Sequence, residues 1–154
     1  LSPAWWSEIN LHDVEWLVPP ERMKTPNAHV VPLPLQAVNE IKGMLKLTGD
    51  GEYVFPPLAR QKSAHLHRDA LSTALRRMGL QGVHATHGFR AMFRDAARER
   101  LGVPADVLEA QLAHAKRGEV QKACDRTLFL QERTVAMQQW ADYLDELRPK
   151  ENLT

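Results

Sequence analysis

The spacing of hydrophobic positions changes along the chain and divides it into two parts. Near the start, Trp16-Leu-Val-Pro and His29-Val-Val-Pro-Leu are short β-favouring runs, separated by a polar stretch with turn residues, Glu21-Arg-Met-Lys-Thr-Pro-Asn-Ala. This predicts a β-hairpin, or two strands of a small antiparallel sheet, with Lys24 near its tip. Tyr53-Val-Phe, after the Gly49-Asp-Gly turn, predicts a third short strand.

Between these runs, Leu35, Val38, Ile41, Met44 and Leu45 recur at steps of three and four, which predicts an amphipathic helix over 35–47. Beyond Pro57 the pattern is helical. Terminal signals place helices over 66–78, ending at Gly79; over 87–101, after Thr86 as N-cap and ending at Gly102; and over 104–114, with proline in the first turn. A last helix over 128–147 is expected to bury Val135 or Met137, Trp140, Leu144 and Leu147 on one stripe. The expected fold class is α+β and mainly helical: one domain, a helical bundle with a small antiparallel sheet at one end.

Composition does not disturb this picture. With 154 residues, 44% hydrophobic and 25% charged, the chain is of ordinary globular type rather than disordered or coiled-coil. No apolar run reaches the ~20 residues of a membrane span, and no membrane partner is expected. One cysteine, Cys124, leaves no internal disulfide and fits a reducing compartment. The first residues carry neither a signal peptide nor an initiator methionine, so the chain reads as a piece of something longer.

Charge adds more. The net charge of +1 conceals a basic centre: from Arg60 to Arg100 there are nine Lys/Arg against three acids. A basic block between acidic flanks suits a face that binds a polyanion, because clustered positive potential recruits phosphates and releases their counterions. A solvated helix surface has the same composition.

The sharpest chemistry lies in His87-Gly-Phe-Arg90, which opens a helix and sets His87 and Arg90 on one face of its first turn. Free backbone N–H groups and the positive end of the helix dipole already favour an anion there. A guanidinium adds a planar fork that matches two phosphate oxygens, and an imidazole adds a further donor. Leu112-Ala-His114 then closes the next helix, and Ala123-Cys-Asp-Arg126 precedes Trp140-Ala-Asp-Tyr-Leu.

In this order the motifs resemble the catalytic domain of a tyrosine recombinase, in the prophage integrase branch. Met23-Lys24 through His29-Val-Val-Pro-Leu, Tyr53-Val-Phe-Pro, His87-Gly-Phe-Arg90, Leu112-Ala-His114 and Trp140-Ala-Asp-Tyr-Leu carry the resemblance across essentially the whole chain. It implies a catalytic-domain fragment over 1–154 and site-specific recombination of double-stranded DNA at attachment sites through a 3′-phosphotyrosine link, with no metal and no other cofactor. It implies that Arg90 and His87 clamp the non-bridging oxygens of the scissile phosphate, where negative charge concentrates in the transition state. His114 supplies another donor, and Lys24 protonates the departing 5′-oxygen. The intact protein would act as a homotetramer on DNA in the bacterial cytoplasm, at the nucleoid. This chain is expected to be a monomer.

Two departures from the pattern matter. The family's first arginine is expected a few positions before Leu1, and losing one of two clamping guanidiniums should cost on the order of 3 kcal/mol of transition-state stabilisation. Cys124 stands where the nucleophilic tyrosine should be. A thiolate is reactive, and Lys122, Arg126 and His114 would favour it, but its sulfur lies too near the backbone for a phenol's in-line position. The expectation is therefore an inactive chain. The alternative is a non-catalytic DNA-binding module or decayed integrase fragment. Two other readings are poorly supported. A cysteine phosphatase would need Arg at position 130, where Leu130 stands; a zinc site of His84, His87 and Cys124, or of His65 and His67, lacks close ligand pairs.

Overall fold

The computed structural model describes residues 3–23, 27–57, 63–113 and 128–149. Three short strands, β1 (Ile9–Asn10), β2 (Glu15–Val18) and β3 (His29–Pro32), form an antiparallel sheet in the order β1-β2-β3. The predicted hairpin is present: Trp16 pairs with Val31, Leu17 with Val30 and Val18 with His29. The third strand is not the expected one. It is β1, whose Ile9 pairs with Trp16, while Tyr53 makes only an isolated bridge to Trp5. The Asn10 side chain explains this choice. Its Oδ1 accepts from the amides of His12 and Asp13, both at 3.0 Å, closing a tight turn directly into β2.

Among the described residues five α-helices follow: α1 (Leu35–Thr48), α2 (Ala70–Arg77), α3 (Gly88–Leu101), α4 (Ala105–Gln111) and α5 (Leu130–Glu146). The α+β, mainly helical class is as expected from the sequence. α2 starts four residues later than its pattern suggests: the Ala70 amide, which a helix from Leu66 would bond to the Leu66 carbonyl, donates instead to the carbonyl of His67 at 2.9 Å. α3 is capped by His87 rather than Thr86 and ends at Gly102, whose φ of 67° a Cβ would oppose.

Phe93 and Ala97 from α3, Val107 and Leu108 from α4, Val103 between them, and Ala136 and Trp140 from α5 make the core. The rings of Phe93 and Trp140 meet edge to face with centroids 5.4 Å apart. The buried stripe of α5 is the expected one only in part: Trp140 is buried and Met137 packs against the core, but the rest differs. Arg133, Ala136, Trp140 and Ala141 are buried, whereas Val135 is 56% and Leu147 is 62% exposed and Leu144 is also exposed. Small alanines let α5 approach α3 and α4 closely, so the larger aliphatic residues fall on its outer face.

α1 is joined to α5 by amide chemistry. The Gln138 Oε1 accepts from the free Leu35 amide at the start of α1, and Gln36 donates to Asp142 and Asp145 at 2.8 and 2.9 Å. Among the described residues no helix is long and apolar enough to cross a membrane.

Candidate functional site

The first turn of α3 and the end of α4 meet at the foot of β3, and this junction holds the two described members of the predicted set. His87 is the exposed residue that caps α3; Arg90 follows in its first turn, half-buried. The α3 start is shaped by close packing. His84 stacks edge to face on Phe89 with ring centroids 4.3 Å apart, and a Cβ on Gly88 would lie 2.9 Å from the His84 ring. Any larger residue at the start of the helix must displace that imidazole.

Arg90 does not point freely into solvent. Its Nη2 donates to the main-chain carbonyl of Leu112, beyond the last turn of α4. Thus His87-x-x-Arg90 and the segment beginning Leu112-Ala113, far apart in sequence, are brought together. Arg94 and Arg98 continue at four-residue steps along α3. With Asp95, Ala105, Leu108 and Glu109 they line a cleft of about 210 Å³ between α3 and α4. Lys24, His114 and Cys124 lie outside the described residues.

The junction also contains residues that the sequence pattern did not single out. His29, the first residue of β3, donates from Nε2 to the carbonyl of Gln111 at 3.1 Å, which fixes its tautomer. Burial, then repulsion from Arg133, pushes the His29 pKa below the ordinary value of 6.5; the bond to Gln111 opposes this, and Arg90 adds a further repulsion. Arg133, only 2% exposed, enters from α5 and donates from Nε to Gln111 Oε1 at 2.8 Å, from Nη1 to Leu128 O at 3.5 Å and from Nη2 to Val30 O. Burial lowers its pKa from the usual arginine range, with Glu15 opposing. The signal for Arg133 was present in the sequence: a cation three residues before Ala136 and seven before Trp140 sits on the core stripe of α5.

Two left-handed residues set the path of the chain here. Ala113 leaves α4 with φ 52°, and Phe129 enters α5 with φ 54°. Neither is glycine, so each is held there by its surroundings. Directly before β1, the buried Glu8 carboxylate accepts from Trp16 Nε1 at 3.0 Å and pairs with Arg22, which precedes Met23. Among the described residues no three histidine, cysteine or carboxylate side chains are grouped to hold a metal.

Residues 4–123 match the family model described as the phage integrase family. Prophage integrase IntA of Escherichia coli (strain K12) is 38% identical over 92% of this chain, a match that covers 34% of IntA. Prophage integrase IntZ of the same strain is 34% identical over 92% of the chain and 35% of its own length. The integrase of Enterobacteria phage P4 is 33% identical over 96% of the chain and 37% of its own length. No solved structure matches the chain. The chain belongs to the phage integrase family, the tyrosine recombinases. It spans about a third of the length of these curated relatives.

Proposed function

We propose that residues 1–154 are a catalytic-domain fragment of a prophage-type integrase, which binds double-stranded DNA and carries most of the machinery for site-specific strand exchange. The observation that carries this reading is the hydrogen bond of Arg90 to Leu112, which sets His87 and Arg90 beside the chain leading to His114. Membership of the integrase family supports it.

In the proposed chemistry a tyrosine hydroxyl attacks the scissile phosphorus, the P–O5′ bond breaks, and a 3′-phosphotyrosine bond replaces it. Arg90, His87 and His114 hold the non-bridging oxygens, which gain charge at the transition state. Lys24 gives its proton to the departing 5′-oxygen. The covalent link conserves the phosphodiester energy, so a 5′-hydroxyl rejoins by the reverse step without an external energy source.

Cys124 occupies the nucleophile position in this scheme, and its short side chain is unsuited to in-line attack. The chain itself is therefore catalytically inactive and acts as a DNA-binding module. It is a monomer in solution, while the intact protein assembles as a tetramer on paired attachment sites.

The test uses a nicked duplex carrying the element's attachment site. A version extended upstream and carrying Cys124→Tyr forms a covalent protein–DNA adduct, and the present chain does not. No adduct from the extended version would remove the catalytic assignment. DNA binding without salt dependence in either version would remove the phosphate-binding one.

A further inference from the structure

We propose that Arg133 is a positioning residue for Arg90, acting through the end of α4. The proposal rests on the reading of Arg90 as a phosphate ligand. It starts from an anomaly in the core: a guanidinium 2% exposed, on the same stripe as Ala136 and Trp140. Its partners among the described residues are one side-chain amide and two main-chain carbonyls. A buried cation with no carboxylate in bonding distance among the described residues is a poor way to stabilise a fold, and apolar side chains of similar volume commonly do better. What it provides instead is direction, because a planar fork of five N–H donors can fix several acceptors at once.

Those acceptors belong to three different parts of the chain. Gln111 is the last residue of α4, Leu128 lies just before α5, and Val30 sits on the edge strand β3. From Gln111 two bonds run on toward the site. Its own carbonyl is held by His29, and the next carbonyl, Leu112, is held by Arg90. Arg133 therefore holds the side chain of Gln111, the residue directly before the carbonyl to which Arg90 is bonded. With the α4 end free to shift, Arg90 no longer has the hydrogen bond that sets the direction of its guanidinium. Gln111 and Leu128 also bracket the sequence that contains His114 and Cys124, so the same side chain anchors both described ends of that stretch.

Being buried, Arg133 cannot itself touch a phosphate. If its replacement weakens the grip on phosphate, the effect must pass through another residue. A thermodynamic cycle exposes this. For the 154-residue chain and its Arg90→Ala, Arg133→Met and doubly substituted forms, affinity for a short mixed-sequence duplex is measured between about 50 and 200 mM salt. Each single substitution is expected to reduce the slope of log affinity against log salt by about 0.9, the value of one neutralised phosphate. The double form falls no further than Arg90→Ala alone. Arg133→Lys, which keeps the buried charge but offers a single head, behaves like Arg133→Met.

An unchanged slope for Arg133→Met where Arg90→Ala lowers it would overturn the proposal. So would an equal further drop in the Arg90→Ala background, or a full wild-type slope for Arg133→Lys. Amide exchange at Leu112 and Ala113 gives a readout independent of DNA. In Arg133→Met it is expected to be about tenfold faster, while amides flanking Trp140 keep their protection. Exchange at the wild-type rate overturns the anchor, even if the chain binds DNA. If the unsubstituted chain shows no salt-dependent binding but the exchange difference is present, the phosphate reading of Arg90 fails and the anchor at the α4 end stands.

Discussion

Arg90, in the first turn of α3, donates through Nη2 to the carbonyl of Leu112, so two motifs separated by a whole helix share one hydrogen bond. A charged donor on a main-chain acceptor contributes about 1.5–3 kcal/mol when partly buried. Replacing Arg90 with Met removes that donor from the α4 end. The unfolding free energy from urea titration should fall by about 1–2 kcal/mol. An unchanged midpoint would mean that the bond is not made in solution.

His29 gives the junction a dependence on pH. Its folded pKa lies below 6.5, chiefly through burial and the neighbouring Arg133, so the unfolded chain binds the proton more readily than the folded one. The contribution of neutral His29 is fully present above the unfolded value of 6.5 and is lost as pH falls from there through the folded value. His29→Gln should flatten the stability profile in that window. A wild-type profile that rises as pH falls through 6.5 would contradict the sign.

Gly88 tests the packing at the start of α3. A Cβ there would lie 2.9 Å from His84, whose ring is held against Phe89. Gly88→Ala is expected to destabilise by about 1 kcal/mol or more through overpacking. In a His84→Ala background the same substitution should become stabilising, by up to about 1 kcal/mol, because alanine is the better helix former. Thermal unfolding of the single and double variants beside the unsubstituted chain gives both signs.

Trp140 is the centre of the core, edge to face with Phe93 and tilted against Tyr143. Trp140→Ala should cost about 3–5 kcal/mol. Val135→Ala, on the exposed face of the same helix, should cost less than about 0.5 kcal/mol. Equal losses of stability at the two positions would show that α5 packs through a different face.

The buried Glu8 and the half-buried Arg22 form an ion pair that ties the 3-10 turn before β1 to the turn after β2. Arg22→Met strands the Glu8 carboxylate and should cost about 3–5 kcal/mol. Adding Glu8→Gln removes the stranded charge, so the double variant should be more stable than Arg22→Met alone. A double variant less stable than Arg22→Met would place the energy elsewhere.

Much of this molecule was legible in its sequence, for physical reasons that differ from element to element. α1 follows from residues spaced at three and four, and α3 from its terminal signals, Gly102 ending it because a left-handed residue there favours glycine. The hairpin follows from two β-favouring runs and a turn-rich interval. His87 and Arg90 were legible because they are three apart at a helix start, a purely local relation.

Sequence pattern and structure part where a particular hydrogen bond or close packing decides the outcome. Asn10 closes its own turn, so the third strand is Ile9–Asn10 and not the segment around Tyr53. The Ala70 amide donates to His67 rather than to Leu66, so α2 starts late. α5 is helical over nearly its predicted length, but periodicity alone admitted two faces, and close packing against α3 and α4 selected the alanines and Trp140.

The sequence by itself determined the helical periods, the small sheet, the basic centre and the family to which the chain belongs. Tertiary structure alone decided which carbonyls Arg133 would reach, that His29 would lie beside it with a lowered pKa, and that Arg90 would turn toward Leu112. Local preference acts through neighbours a few residues apart. A buried cation finds its carbonyls only once separate strands and helices have packed together.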